Sequence, residues 1–286
     1  MRAVLAIALA ASTLGASALG ASAADAQSRV DSAAASTPLV IGETFTMRST
    51  VLGEVRRINV YLPPAYSATA DARLPVLYMP DGGIGEDFLH VAGLVQISSL
   101  NGTMRPMLLV GIENTERRRD MTGPTTREED RKIAPRVGGS APFRRFIRTE
   151  LMPRVKARYR TTDETAVVGE SLAGLFVVET FLLEPDLFDS YLAFDPSLWW
   201  NGERLVTEAA ERLRARPPGR KALILASSSE PQIATLTERL AAVLKSQAGT
   251  ELQWHYLPMP EETHATIYHP AALRAFRTLF KPAPTK

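Results

Sequence analysis

Thr165-Ala-Val-Val168 runs directly into Gly169-Glu170-Ser171-Leu172-Ala173-Gly174 and then into the apolar stretch Leu175 to Leu183. A short β-branched run, a tight turn built on small residues and an apolar segment at helical spacing predict strand, sharp turn and helix. A serine at the apex of such a turn needs small residues two before and two after it, and Gly169 and Ala173 meet that requirement. Its Oγ then projects above the sheet, and the N–H of Leu172 points out of the helix start, where it can hold a developing oxyanion. The plainer reading is Ser171 as a helix N-cap after a glycine turn. The strand before and the helix after favour a nucleophile.

Working outward, the chain alternates strand and helix signals. Thr44 to Val51 and Val55 to Leu62 form a candidate hairpin through Gly53-Glu54. Leu74 to Met79, Met107 to Ile112, Ser190 to Phe194, Ala222 to Ala226 and Leu252 to Leu257 have the look of buried strands. Helical spacing marks 86–100, 143–159 (kinked at Pro153), 202–214, 232–247 and 270–280. This alternation predicts an α/β fold with a mostly parallel central sheet and helices on both faces. Residues 114–140, polar and Arg-rich, stand apart as one long connection of the kind that carries function.

A nucleophilic Ser on such a turn is followed in chain order by an acid and then a His. His264 sits in the polar stretch Pro260-Glu-Glu-Thr-His264 after the last strand and before the last helix, and is the candidate base. His255 lies inside a strand, His269 leads into a helix and His90 precedes Ser171 within a helix. For the acid, Glu230 follows the strand Ala222 to Ala226 through three serines and is preferred; Asp195, after Phe194, is the second choice, and a Ser–His dyad the third. Glu230 also suits a helix N-terminus on dipole grounds alone. A second oxyanion donor is expected from Gly82 or Gly83 in Met79-Pro-Asp-Gly-Gly83, with Gly83 preferred. Arg118, within Arg117-Arg-Arg-Asp120, and the adjacent Trp199 and Trp200 are candidate substrate contacts, suited to anionic and aryl groups. A solvated Arg run and core packing of one Trp are the plainer alternatives.

Composition narrows the function classes. The 286 residues carry 33 Lys plus Arg against 31 Asp plus Glu, a net charge of +2, which argues against a nucleic-acid or polybasic membrane partner. There is no Cys, so no disulfide, zinc–thiolate site or thiol nucleophile. Hydrophobic residues at 45% and charged residues at 22% suit a globular chain. Met1-Arg2, the uncharged apolar run Ala3 to Leu19 and the small-x-small sites Ala21-Ser-Ala23 and Ala24-Asp-Ala26 have the layout of a secretory signal peptide over 1–26. Residues 27–38 read as a flexible lead-in and 39–286 as a single domain. A periplasmic or secreted protein without a membrane anchor after cleavage is expected.

Taken together, Leu77-Tyr-Met-Pro-Asp-Gly82, Val110-Gly-Ile-Glu-Asn114, Arg117-Arg-Arg-Asp-Met-Thr122, Gly169-Glu-Ser-Leu-Ala-Gly-Leu-Phe176, Asp195-Pro-Ser-Leu-Trp-Trp200 and His264 resemble the esterase D-like family of α/β hydrolases. The likeness is greatest to the branch of trilactone-siderophore esterases of the enterobactin and bacillibactin type. The resemblance covers about Thr44 to Leu279. It implies the α/β-hydrolase fold and a cofactor-free serine esterase that acts through an acyl-enzyme on a small-molecule ester, with siderophore, aryl or acyl esters as candidates. An acyltransferase on the same fold and a non-catalytic ligand-binding protein are the alternatives.

Overall fold

The computed structural model describes residues 36–282. The signal-peptide reading over 1–26 and most of the 27–38 lead-in lie outside the described residues. A compact unit begins at Gly42.

Within it an eight-stranded sheet is built from β1 (Glu43–Arg48), β2 (Val55–Tyr61), β3 (Leu74–Pro80), β4 (Leu108–Ile112), β5 (Thr161–Glu170), β6 (Ser190–Phe194), β7 (Lys221–Ser227) and β8 (Leu252–Pro258). The strand order is β1-β2-β4-β3-β5-β6-β7-β8. β1 and β2 form the hairpin expected around Gly53, β2 pairs antiparallel with β4, and every pairing from β4 through β8 is parallel. The central strands β4 and β6 are buried along their whole length, as continuous apolar strands covered on both faces must be.

The helices are α1 (Pro64–Ala68), α2 (Phe88–Leu100), α3 (Arg117–Met121), α4 (Glu128–Arg131), α5 (Ser140–Phe146), α6 (Met152–Arg158), α7 (Leu172–Leu183), α8 (Trp200–Ala215), α9 (Pro231–Gln247) and α10 (Tyr268–Leu279). Two apolar cores result, one on each face of the sheet. One gathers Phe143, Phe146, Phe176, Phe181, Leu213 and Leu240 from α5, α7, α8 and α9. The other gathers Val91, Val95, Ala271 and Phe276 from α2 and α10. α7 is buried almost all round, which is why its sequence has no polar face. Among the described residues no helix is long and apolar enough to cross a membrane.

Three expectations differ in detail. The strand before the turn is ten residues, Thr161–Glu170, because parallel pairing to β3 and β6 carries it beyond its apolar core. The 143–159 helix is divided by a π-helical turn, Ile147–Leu151, and restarts as α6 with Pro153 in its first turn, where the missing N–H costs least. Residues 114–140 are not one unstructured connection. They hold α3 and α4, and buried Asp120, Met121 and Asp130 pin them down.

Candidate active site

Ser171 has φ +60 and ψ −119, a strained conformation for a residue with a side chain, at the join of β5 and α7. Its surroundings over-determine it. Its N–H donates to Phe194 O at 3.0 Å, and its carbonyl accepts from Ser197 N–H at 3.1 Å and Leu175 N–H at 2.9 Å. A Cβ at Gly169 would stand 2.7 Å from Ala173 Cβ, so the close approach that the turn requires is real and only glycine fits there. A Cβ at Gly174 would stand 2.8 Å from Phe194 O, where the helix start passes over the end of β6.

Ser171 Oγ lies 3.1 Å from His264 Nε2. On the other side of the ring, His264 Nδ1 lies 2.8 Å from Asp195 Oδ2. Asp195 directly follows β6, has φ +43 and is fully buried. Its carboxylate is fixed by two further donors: Ser228 N–H to Oδ1 at 2.6 Å and Ser228 Oγ to Oδ2 at 2.6 Å. With Asp195 accepting, Nδ1 carries the ring proton and Nε2 is free to accept from the Ser171 hydroxyl. The loop bearing His264 is tied to the β7 loop by Ser229, whose N–H and Oγ both donate to Glu262 O. The hydrogen bond to Asp195 lifts the His264 pKa above its ordinary 6.5; burial opposes it, and the charge of Glu170 when ionised and the charges of Asp195 and Glu230 add to it.

Glu230, the carboxylate preferred from sequence, is not the one on His264. It is exposed at the start of α9, and its N–H donates to Ser228 Oγ at 3.1 Å. The physical reason is sheet geometry: β6 lies next to β5, so the end of β6 reaches the imidazole beside Ser171, while β7 lies one strand further away. The signal for Asp195 is its place after a short, mostly apolar strand, where a carboxylate must find donors. The other histidines are elsewhere. His255 is in β8, and the His90 and His269 rings stand 5.3 Å apart.

The oxyanion donors are less simple than the sequence suggested. Leu172 N–H, at the first position of α7, has no intrahelical acceptor. The Gly83 N–H, by contrast, donates to Glu86 Oε2 at 2.6 Å, and Gly82 N–H donates to Ile112 O at 3.0 Å. Both are engaged, so a second donor from this loop requires Glu86 to let Gly83 go.

The Arg run divides three ways. Arg117 forms a bidentate pair with Asp81, Nε to Oδ1 at 2.7 Å and an Nη to Oδ2 at 2.8 Å. Arg119 binds Glu54 and Asp120. Arg118 is exposed on α3. Trp200 is packed into the core, 4% exposed, its indole N–H donates to Gly123 O at 2.9 Å, and its edge lines a recess with Gly123, Pro124, Asn201 and Arg204. Trp199 is half-buried and lines a surface recess with Arg127, Glu129, Gly202, Glu203 and Gln232.

Sequence reading passed over Glu170 except as part of the turn. Its Oε1 lies 3.4 Å from His264 Nδ1, and Glu170, Asp195 and His264 bring one polar atom each to within 4.8 Å of one another. Because Asp195 is already filled by Ser228 and His264, the trio is a hydrogen-bonded relay with a spare carboxyl beside it.

The family model described as "Putative esterase" matches residues 49–264, from the hairpin to the histidine. The chain belongs to that family. Ferri-bacillibactin esterase BesA of Bacillus subtilis is 31% identical over 162 residues, covering 52% of this chain and 56% of that protein. Siderophore triacetylfusarinine C esterase of Aspergillus fumigatus is 36% identical over 190 residues, covering 60% and 61%. The chain therefore spans a little over half the length of these relatives. Among solved structures, an IroE-like serine hydrolase from Shewanella oneidensis superposes with TM-score 0.76 at 30% identity over 84% of this chain and 80% of that one. The BES protein from Bacillus cereus superposes with TM-score 0.75 at 21% identity, over 87% and 98%, a likeness of fold: the α/β hydrolase.

Proposed function

We propose that this protein is a serine carboxylic ester hydrolase acting on a small-molecule ester, with Ser171, His264 and Asp195 as its relay. The observation that carries the reading is the unbroken chain of contacts from Ser171 Oγ through the imidazole to a buried, doubly anchored carboxylate. A binding protein needs no such chain.

The geometry supports the following sequence. Ser171 Oγ attacks the ester carbonyl as its proton passes to His264 Nε2. Asp195 holds the Nδ1–H tautomer and stabilises the imidazolium that forms. Leu172 N–H, with the positive end of α7 behind it, receives the oxyanion. The tetrahedral intermediate collapses, His264 returns the proton to the leaving alkoxide, and the alcohol departs. Water then loses a proton to His264 and attacks the acyl-enzyme, and the acid is released with Ser171 restored.

The substrate class follows from the relatives, two of which are named as esterases of ferri-bacillibactin and triacetylfusarinine C. We place siderophore esters first, and aryl and short acyl esters as surrogates. Incubating the mature protein with ferric and iron-free tri-ester siderophores, and following products by mass spectrometry, tests this. Ring opening with a gain of 18 Da, followed by cleavage of the linear product into dimer and monomer, supports it, while intact siderophore alongside turnover of simple acyl esters removes the siderophore assignment. Export is inferred from the basic start, apolar run and small-x-small sites of residues 1–26. Fractionation with N-terminal sequencing checks it, and an uncleaved cytoplasmic chain would refute it.

A further inference from the structure

Two carboxyl groups converge on one ring nitrogen. Asp195 Oδ2 is 2.8 Å from His264 Nδ1 and Glu170 Oε1 is 3.4 Å from it. A single N–H needs one acceptor, and Asp195, held by both Ser228 donors, is the one in place. Glu170 Oε1 is left buried with no hydrogen-bond partner. An ionised carboxylate in that position lacks solvation that a neutral acid does not need. The chain position adds a constraint: Glu170 is the last residue of β5 and precedes the strained Ser171, so its direction is fixed by the same turn that aims the nucleophile.

We propose that Glu170 is a positioning residue for His264, resting as the neutral acid beside the imidazole–Asp195 pair and adding a stabilising negative charge to the imidazolium once it ionises. The role in turnover rests on the hydrolase reading above; the effect on the imidazole does not. Ionisation is a simple proton loss to water at the edge of the site, where the side chain is 15% exposed. Burial pushes the Glu170 carboxyl up to about 8, against the pull of His264 and with the repulsion of Asp195. The groups that face it come from five elements: His264 from the loop before α10, Asp195 from the end of β6, Arg117 from α3, Asp87 from the start of α2, and Tyr268 from α10. Arg117 favours ionisation, but its guanidinium is already paired with Asp81. Asp87 and Asp195 oppose it. The charge of Glu230 acts on His264.

The consequence is a second titration, near 8. While Glu170 holds its proton, the neutral His264 ring is a base with a neutral neighbour. Above that titration the same base has an anion 3.4 Å away, and the transition state, in which the ring is cationic, gains. A gain of about threefold to tenfold is expected for one further charge in a half-solvated site.

The test compares wild type, Glu170→Gln and Glu170→Asp by two readouts between pH 5.5 and 9.5. The first is the His264 ring Cε1–H signal in NMR, assigned with His264→Ala. The second is kcat/KM on p-nitrophenyl acetate. Wild type is expected to titrate in two steps by both. Glu170→Gln should keep the first and lose the second, and Glu170→Asp, with a shorter reach, should keep a smaller second step. A single step in wild type, or two unchanged steps in Glu170→Gln, overturns the proposal. A packing role alone would scale kcat/KM without altering the shape of either curve. If Glu170→Gln does not fold, wild type and Glu170→Asp decide. If no ester is turned over, the hydrolase reading fails, and the NMR titration still decides the fate of Glu170.

Discussion

Asp195 Oδ2 lies 2.8 Å from His264 Nδ1, and the two residues are brought together from the end of β6 and the loop after β8. Asp195→Asn keeps the shape but presents an amide to the ring, which favours the wrong tautomer. A loss of about a hundredfold to ten-thousandfold in kcat is expected, with KM little changed. Glu230→Gln, on an exposed side chain that touches the ring only through its field, should stay within about threefold. Steady-state kinetics of the two variants check this, and the reverse order would return the acid to Glu230.

The pH profile follows from His264. Its hydrogen bond to Asp195 raises the pKa above 6.5, so the neutral form required of a base is reached later on the pH scale. Activity should therefore fall as pH drops through a midpoint above 6.5. In Asp195→Asn the residual activity should show that midpoint moved down. A midpoint that does not move would separate Asp195 from the basicity of His264.

The adjacent tryptophans should behave oppositely. Trp200→Phe removes the indole N–H from Gly123 O and leaves that carbonyl without its donor, at about 1 kcal/mol or a few degrees in Tm. KM for aryl esters should not change. Trp199→Ala exposes little core and should raise KM for aryl esters more than for acetyl esters. Thermal melts and a small ester panel distinguish the two.

Acid stability has a local origin at the hairpin. The hydrogen bond from Arg119 holds the Glu54 carboxyl down at about 2 against an ordinary 4.5, with burial opposing and Thr115 and Arg56 assisting. A lowered folded-state value means stabilisation that is present above pH 4.5 and is lost as pH falls toward 2. Urea unfolding at pH 6 and pH 3 should show wild type losing more stability between the two than Glu54→Gln. Equal losses would place the acid sensitivity elsewhere.

Much of the site was legible because its parts obey local rules. Ser171 was marked by strand, small residues and helix, and His264 by a polar loop between the last strand and last helix. The parallel sheet could be read from alternation alone. Asp195 was ranked below Glu230 because strand order is a tertiary fact: nothing local says that β6, not β7, lies beside β5. Gly83 could be named as a backbone donor, yet the Glu86 carboxylate that occupies its N–H depends on how residues 81–87 fold back. Trp199 and Trp200 are neighbours in sequence, and only the turn of positive φ at Asn201, Gly202 and Glu203 shows how the chain leaves the pair. Glu170 carries no signal in the sequence, because what sets it apart is an unpartnered oxygen that no sequence pattern records.

The most direct measurement is a rapid-mixing burst assay with p-nitrophenyl butyrate on the mature protein and on Ser171→Ala. The wild type should release close to one equivalent of p-nitrophenol per chain before the steady state, with a butyryl adduct on Ser171 seen by mass spectrometry after an acid quench. Ser171→Ala should show neither. A burst that survives in Ser171→Ala, or an adduct on another residue, would contradict the assignment of Ser171 as the nucleophile.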